Sequence, residues 1–259
     1  MADTILVVDD HEDILDFLTE ILSDTYEVVT ASDGSEALTI LDAQLVSLIV
    51  SDIMMPGIDG FELCQTIKSN VEYCHIPLIL LTAKNTYKAK VEGLEVGADA
   101  YIEKPFSPEY LIAQINNLLK NRAKIKDHFA HSPFEDVRVM AYSKTDELFL
   151  KKLDEHIQKN LKNTNLDIDT LADLMNMSRP TFYRKIKSLS SLSPKELINV
   201  TRLRKAAELL ATRDYKIYEI ADMVGYASQS VFGKNFQKQF KMTPMEYVAS
   251  LKPKDRDKG

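Results

Sequence analysis

Four short apolar runs, each broken off at a residue with chemistry to offer, constrain this chain more than any other feature. Ile5-Leu6-Val7-Val8 ends at Asp9-Asp10, and Leu48-Ile49-Val50 ends at Ser51-Asp52. Pro77-Leu78-Ile79-Leu80-Leu81 ends at Thr82-Ala83, and Ala100-Tyr101-Ile102 leads into Lys104-Pro105-Phe106. Runs this short and this uniformly apolar suit strands buried on both faces, as in a parallel sheet. Helical patterns fall near residues 13–23, 35–44, 61–69, 88–96 and 108–122. Five strands alternating with five helices predict a doubly wound α/β five-stranded parallel sheet. Ser35 and Ser107 fit helix N-caps, and Pro108 fits a first helical position.

In open α/β sheets a ligand site forms at the carboxyl ends of the strands. That places Asp9, Asp10, Asp52, Thr82 and Lys104 in one pocket. The set suits phosphoryl transfer onto a carboxylate. Clustered Asp side chains repel one another and call for a hard divalent cation, and Mg2+ prefers oxygen ligands. Lys104 adds a second positive charge toward a transferring phosphoryl group. Asp52 is the nucleophile in this reading, forming an acyl phosphate, with Thr82 placed to hydrogen-bond it. A lone Asp at a strand end is ordinarily a turn or capping residue, but here five such residues coincide.

On these motifs residues 3–122 resemble a two-component receiver domain. The resemblance implies that Asp52 is the phospho-acceptor and that Asp9 and Asp10 are the acidic pair. That pair, Asp52 and the backbone carbonyl of Met54 would form the Mg2+ set. Thr82 and Tyr101 would be the switch pair and Lys104 the motif lysine, followed by a cis bond to Pro105. A receiver catalyses its own phosphoryl transfer and hydrolysis, so the chain is otherwise not expected to be an enzyme.

At 259 residues two domains are expected. No run of eighteen apolar residues and no signal-like start is present, so the chain as given is expected to be soluble and cytoplasmic. Cys64 and Cys74 lack metal-ligand spacing and read as reduced thiols. His11, His75, His128, His131 and His156 form no zinc-type pattern. Charge is asymmetric: residues 1–125 hold 8 Lys and Arg against 21 Asp and Glu, and residues 146–259 hold 21 against 15. The basic second half suits a polyanion partner. Periodicity fades around Ser132-Pro133, so the linker is expected at 123–145, with room for the fifth helix to continue past Arg122 toward Phe129, and residues 251–259 read as a charged tail.

The second half repeats itself. Leu171-Ala172-Asp173-Leu174-Met175-Asn176-Met177-Ser178 matches Ile220-Ala221-Asp222-Met223-Val224-Gly225-Tyr226-Ala227 at an offset of 49. Phe182-Tyr183-Arg184 then matches Phe232-Gly233-Lys234, and Ser193-Pro194-Lys195-Glu196 matches Thr243-Pro244-Met245-Glu246, both at 50. Each copy reads as helix, tight turn, helix. Asn176 and Gly225 fall where the turn needs a left-handed backbone. Ser178 and Ser228 fit N-caps of the second helices, and Phe182 with Ile186, then Phe232 with Phe236, bury one face. The opposite faces carry Arg179, Thr181, Tyr183, Arg184 and Lys187, then Ser228, Gln229, Ser230, Lys234 and Lys238. Such residues contact base edges and phosphates. A bundle with a basic solvated face is the bland alternative.

Residues 146–250 resemble an AraC/XylS-type DNA-binding domain, two helix-turn-helix units joined by a long helix, here residues 194–212. Gly233 and Lys234 depart from that pattern, where a small polar residue and usually Arg stand, and a mid-helix Gly costs ~1 kcal/mol relative to Ala. Together the resemblances imply a response regulator transcription factor. A histidine kinase would phosphorylate Asp52, a homodimer would form through the fourth and fifth helical patterns, and double-stranded promoter DNA and RNA polymerase would be partners. The combination also resembles the C-terminal end of hybrid two-component sensors of Bacteroidetes, which would make the chain a fragment of a membrane-bound histidine kinase. A receiver acting only as an unphosphorylated dimerisation module is a third reading, against which the intact acidic cluster argues.

Overall fold

The computed structural model describes residues 2–83, 96–131, 143–190 and 192–251. The pattern at 88–95, the Ser132-Pro133 break and the tail beyond 251 lie outside these residues. The described residues form two compact units, one of residues up to 127 with residues 143–149, the other of residues 128–131 with those from residue 150 onward.

In the first unit β1 (Thr4–Val8), β2 (Glu27–Ala31), β3 (Leu48–Asp52), β4 (Leu78–Thr82) and β5 (Ala100–Glu103) form one parallel sheet in the order β2-β1-β3-β4-β5. Its strands alternate between two cores. Leu6, Val8, Ile49, Leu78 and Leu80 face one apolar cluster, and Ile5, Val7, Leu48, Val50, Ile79 and Leu81 face the other. Burial on both sides is why every position of these runs is apolar, rather than every second one. The described flanking helices are α1 (Glu12–Ser23), α2 (Gly34–Ala43), α3 (Gly60–Ser69) and α4 (Pro108–His131).

One sequence expectation shifts. The N-cap of α2 is Asp33, whose carboxylate accepts from the Glu36 N–H, while Ser35 lies inside the helix. Asp33 has the extended backbone that an N-cap needs, and Gly34 fits the first turn because a Cβ there would meet Ile58 at 2.8 Å. Helix α4 runs nine residues past Arg122, continuing into the linker in the direction read from the sequence. Cys64 and Cys74 are buried free thiols, and Lys104-Pro105 is cis.

The helical half contains most of α5 (Lys144–Lys159), then α6 (Ile168–Leu174), α7 (Arg179–Leu189), α8 (Pro194–Thr212), α9 (Ile217–Met223), α10 (Gln229–Phe240) and α11 (Pro244–Ser250). The long α8 buries Leu197, Ile198, Val200, Leu203, Ala206, Ala207 and Leu210, which are spread around its circumference because both helix pairs pack on it. Among the described residues no helix is long and apolar enough to cross a membrane.

Candidate functional site

The strand order reverses between β1 and β3, and ligands of open α/β sheets sit at that switch point. Asp9 follows β1 with its N–H donating to the Ala31 carbonyl at 3.2 Å, and Asp52 is the last residue of β3. Lys104 follows β5, its backbone N–H donating to the Thr82 carbonyl at 2.7 Å. The ladder thus sets all three residues at one edge. The Lys104 Nζ donates to Asp52 Oδ1 at 2.6 Å and to Asp9 Oδ2 at 2.9 Å. The other Asp52 oxygen accepts from the Met54 N–H at 2.5 Å. Asp9 is fully buried and Asp52 is 7% exposed, whereas Met54 is exposed at the next turn. Burial alone would lower the Lys104 amine, but the hydrogen bonds and charges of Asp52 and Asp9 outweigh it and the net shift is upward.

Asp10 turns to His11, whose Nδ1 lies 2.9 Å from Asp10 Oδ1 and 3.3 Å from Asp9 Oδ1. The charges of Asp10 and then Asp9 raise the His11 imidazole above its usual range. Asp9 and Asp52 thus share the Lys104 ammonium, while Asp10 meets the His11 ring beside them. This oxygen-rich excess of negative charge fits a hard divalent cation, for which Asp9, Asp10, Asp52 and the Met54 carbonyl are the expected donors. Thr82, buried, and Tyr101, half-buried, lie on adjacent strands. Leu80 pairs with Tyr101, so Thr82, two residues on, shares the face of the sheet on which Tyr101 packs.

In the helical half the two copies close by the same hydrogen bonds. The N–H groups of Asn176 and Gly225 donate to the carbonyls of Asp173 and Asp222, both at 3.0 Å. Those of Met177 and Tyr226 donate to Ala172 and Ala221, both at 2.9 Å. This is a Schellman closure, and its left-handed residue is Asn176 in one copy and Gly225 in the other, with φ 54° and 77°. Ser178 caps α7 by accepting from the Thr181 N–H, and Ser228 caps α10 by accepting from the Val231 N–H. Behind each second helix the ring of Phe182 or Phe232 is fully buried. On the far side Arg179, Tyr183 and Lys187 are exposed and Thr181 and Arg184 half-buried, and Ser228, Gln229, Ser230, Lys234 and Lys238 are exposed. Arg179 also meets Asp169 at 3.2 Å, a solvated pair of little energetic weight.

The family model of a response regulator receiver domain matches residues 5–116, and that of a helix-turn-helix domain matches residues 171–250. "Histidine kinase P4" of Formosa agariphila is 38% identical over 94% of this chain, which spans 18% of that protein. "Probable transcriptional regulator ycf27" of Cyanidium caldarium is 36% identical over 70% of this chain and 71% of its own length. The chain belongs to the response-regulator family. Its second half is of the AraC type. It spans about half the length of other relatives, such as 48% of the ycf27 protein of Cyanophora paradoxa.

Several residues that shape this response regulator's sites were not among those expected from sequence. A Cβ on Gly60 would fall 2.2 Å from the Asp52 carbonyl oxygen, so the start of α3 can press on the back of Asp52 only because Gly stands there. Asp59-Gly60, ahead of an apolar helical pattern, is the signal that could have found it. Gly225 has a steric role besides its φ, since a Cβ there would meet the Leu161 carbonyl at 2.2 Å and the Arg202 guanidinium at 2.9 Å. Arg202 in turn donates to the Asn163 carbonyl at 2.5 Å, and the Tyr226 hydroxyl donates to Asn199 Oδ1 at 2.5 Å. Thus α8 ties the loop before the first copy to the turn of the second. His11, which belongs to no zinc-type pattern and is exposed to solvent, joins the acidic pair.

Proposed function

We propose that this chain is a transcription regulator switched by phosphorylation of Asp52. The observation that carries the reading is the Lys104 bridge between Asp52 and Asp9 at the switch point of the sheet, in a chain whose other half carries two capped helix-turn-helix copies. An Asp52 carboxylate oxygen attacks the phosphorus of a phosphohistidine on a partner kinase. The P–N bond breaks, the imidazole leaves, and an acyl phosphate forms on Asp52. Lys104 holds the Asp52 carboxylate in place, and its ammonium offsets the charge that arrives with the phosphoryl group. Mg2+, held by Asp9, Asp10, Asp52 and the Met54 carbonyl, would supply further charge neutralisation. Thr82, at the end of the neighbouring strand, hydrogen-bonds the phosphoryl oxygen, and Tyr101 follows into the space that Thr82 leaves. The altered surface favours pairing of two chains, which raises DNA occupancy through effective concentration. The arrangement of domains is a receiver over 3–122, a connection, and a DNA-binding domain over 146–250.

Acetyl phosphate labelled on phosphorus tests the chemistry. The parent chain with Mg2+ takes up label that hydroxylamine releases, as an acyl phosphate must. Asp52→Asn takes up none, and an Asn variant labelled as fully as the parent refutes the assignment. The likeness to Histidine kinase P4 over 94% of the chain supports a second reading, in which these two domains work as part of a longer sensor. A kinase core encoded in frame upstream of Met1 supports it, and an upstream stop codon contradicts it.

A further inference from the structure

Among the described glycines, Gly233 is the one that this fold does not need. Gly34, Gly60 and Gly225 each stand where a Cβ would lie within 3 Å of a neighbour, and Gly57 and Gly97 have φ of 76° and 89°. Gly233 has neither reason. It lies in the interior of α10 with a backbone that any residue adopts, and a Cβ built there meets no atom within 4 Å. Mid-helix Gly is less stable than Ala, because more backbone entropy is lost on folding. The isolated fold would therefore gain from Ala, and the demand for Gly comes from outside the chain.

Its position says what lies outside. Gly233 is half-exposed at the flank of α10, one turn from Ser230 and next to exposed Lys234, where the buried face of Phe232 and Phe236 gives way to open space. It is the fifth residue of the helix, in the N-terminal half that helix-turn-helix proteins bring to the duplex. The matching residue of the first copy is Tyr183, which is 43% exposed. The copies thus share core, caps and turn hydrogen bonds, yet at one surface point the first carries a ring and the second carries nothing.

We infer that Gly233 is the point of closest approach of the second recognition helix to DNA. There the bare backbone of α10 lies against the sugar-phosphate wall of the groove, at a distance that a methyl group would block. Tyr183 holds the first helix further out and reaches the duplex with its ring. Two copies built alike therefore read DNA at two depths. This inference rests on the DNA-binding reading above.

The test uses the full chain, and as probe the tightest duplex that the parent selects from a randomised library. Gly233→Ala is expected to raise the unfolding temperature by roughly 2–6 °C and to weaken binding to that duplex by roughly tenfold. Gly233→Tyr, which copies the first repeat, is expected to stay folded by circular dichroism and to bind still more weakly. An Ala variant that is more stable and binds as tightly as the parent overturns the inference. So does one that is less stable, since the helix then has no spare room. Lys234→Ala and Arg184→Ala serve as reference variants. If these bind like the parent as well, the DNA-binding reading itself is at fault, whereas loss in them alone rejects only the role of Gly233.

Discussion

Asp52 is held at both carboxylate oxygens, by the Lys104 ammonium on one side and the Met54 amide on the other, so its orientation is set before any phosphodonor arrives. Asp10 has a different situation, turned to exposed His11 rather than to Lys104. Asp10→Ala is therefore expected to leave the acceptor in place but to lower Mg2+ affinity at least roughly tenfold, with labelling slowed in step. Calorimetric titration with Mg2+ checks this, and an unchanged affinity removes Asp10 from the ligand set. Thr82→Ala separates chemistry from signalling. The variant is expected to accept label on Asp52 yet fail to pair in sedimentation runs with phosphodonor, because its hydroxyl acts only after transfer. Normal pairing would dismiss the Thr82–Tyr101 coupling. The meeting of Asp9, Asp52 and Lys104 was legible in the sequence because parallel strands bring their carboxyl ends to one edge. The part of Gly60 was not, because it depends on how closely the start of α3 passes Asp52, a distance that no periodicity encodes.

The helices of the second half were legible for another reason: their termini are written in side-chain chemistry. Ser178 and Ser228 cap as expected, and Ser193 and Thr243 each open a helix through a full capping box with Glu196 and Glu246. The bounds of α8 match the expectation at both ends, and α10 begins directly after its expected cap, Ser228. The cap at Asp33 was misassigned because Ser35 is an equally good capping type, and only the contact of Gly34 with Ile58 separates them. The tie between α8 and the two copies, through Arg202 and Asn199, was illegible because it joins residues far apart in the chain. Ser178→Ala is expected to cost about 1 kcal/mol, read as a lowered unfolding temperature, and an unchanged temperature would contradict the cap. Arg184→Ala is expected to cost about 1–3 kcal/mol of DNA binding and to relax preference at one or two base pairs. Lys234→Ala is expected to weaken binding evenly and to reduce the salt slope by about one. A randomised site library probed at two salt concentrations distinguishes them, and an Arg184→Ala profile identical to the parent's rules out base reading by Arg184.

At the scale of the molecule, an acidic first half and a basic second half divide the labour that the two folds imply. The excess of 21 Asp and Glu over 8 Lys and Arg in residues 1–125 discourages that half from DNA, and the reversed balance of residues 146–259 favours it. The central claim is that phosphate on Asp52 controls what the helical half does on DNA. Fluorescence anisotropy of a labelled duplex tests it directly, with the parent chain and Asp52→Asn each titrated with and without acetyl phosphate and Mg2+. The account predicts that phosphodonor tightens binding of the parent by roughly tenfold or more, as pairing should, and leaves Asp52→Asn unmoved at the weaker affinity. Equal affinity of the parent with and without phosphodonor, under conditions where labelling of Asp52 is complete, would contradict it.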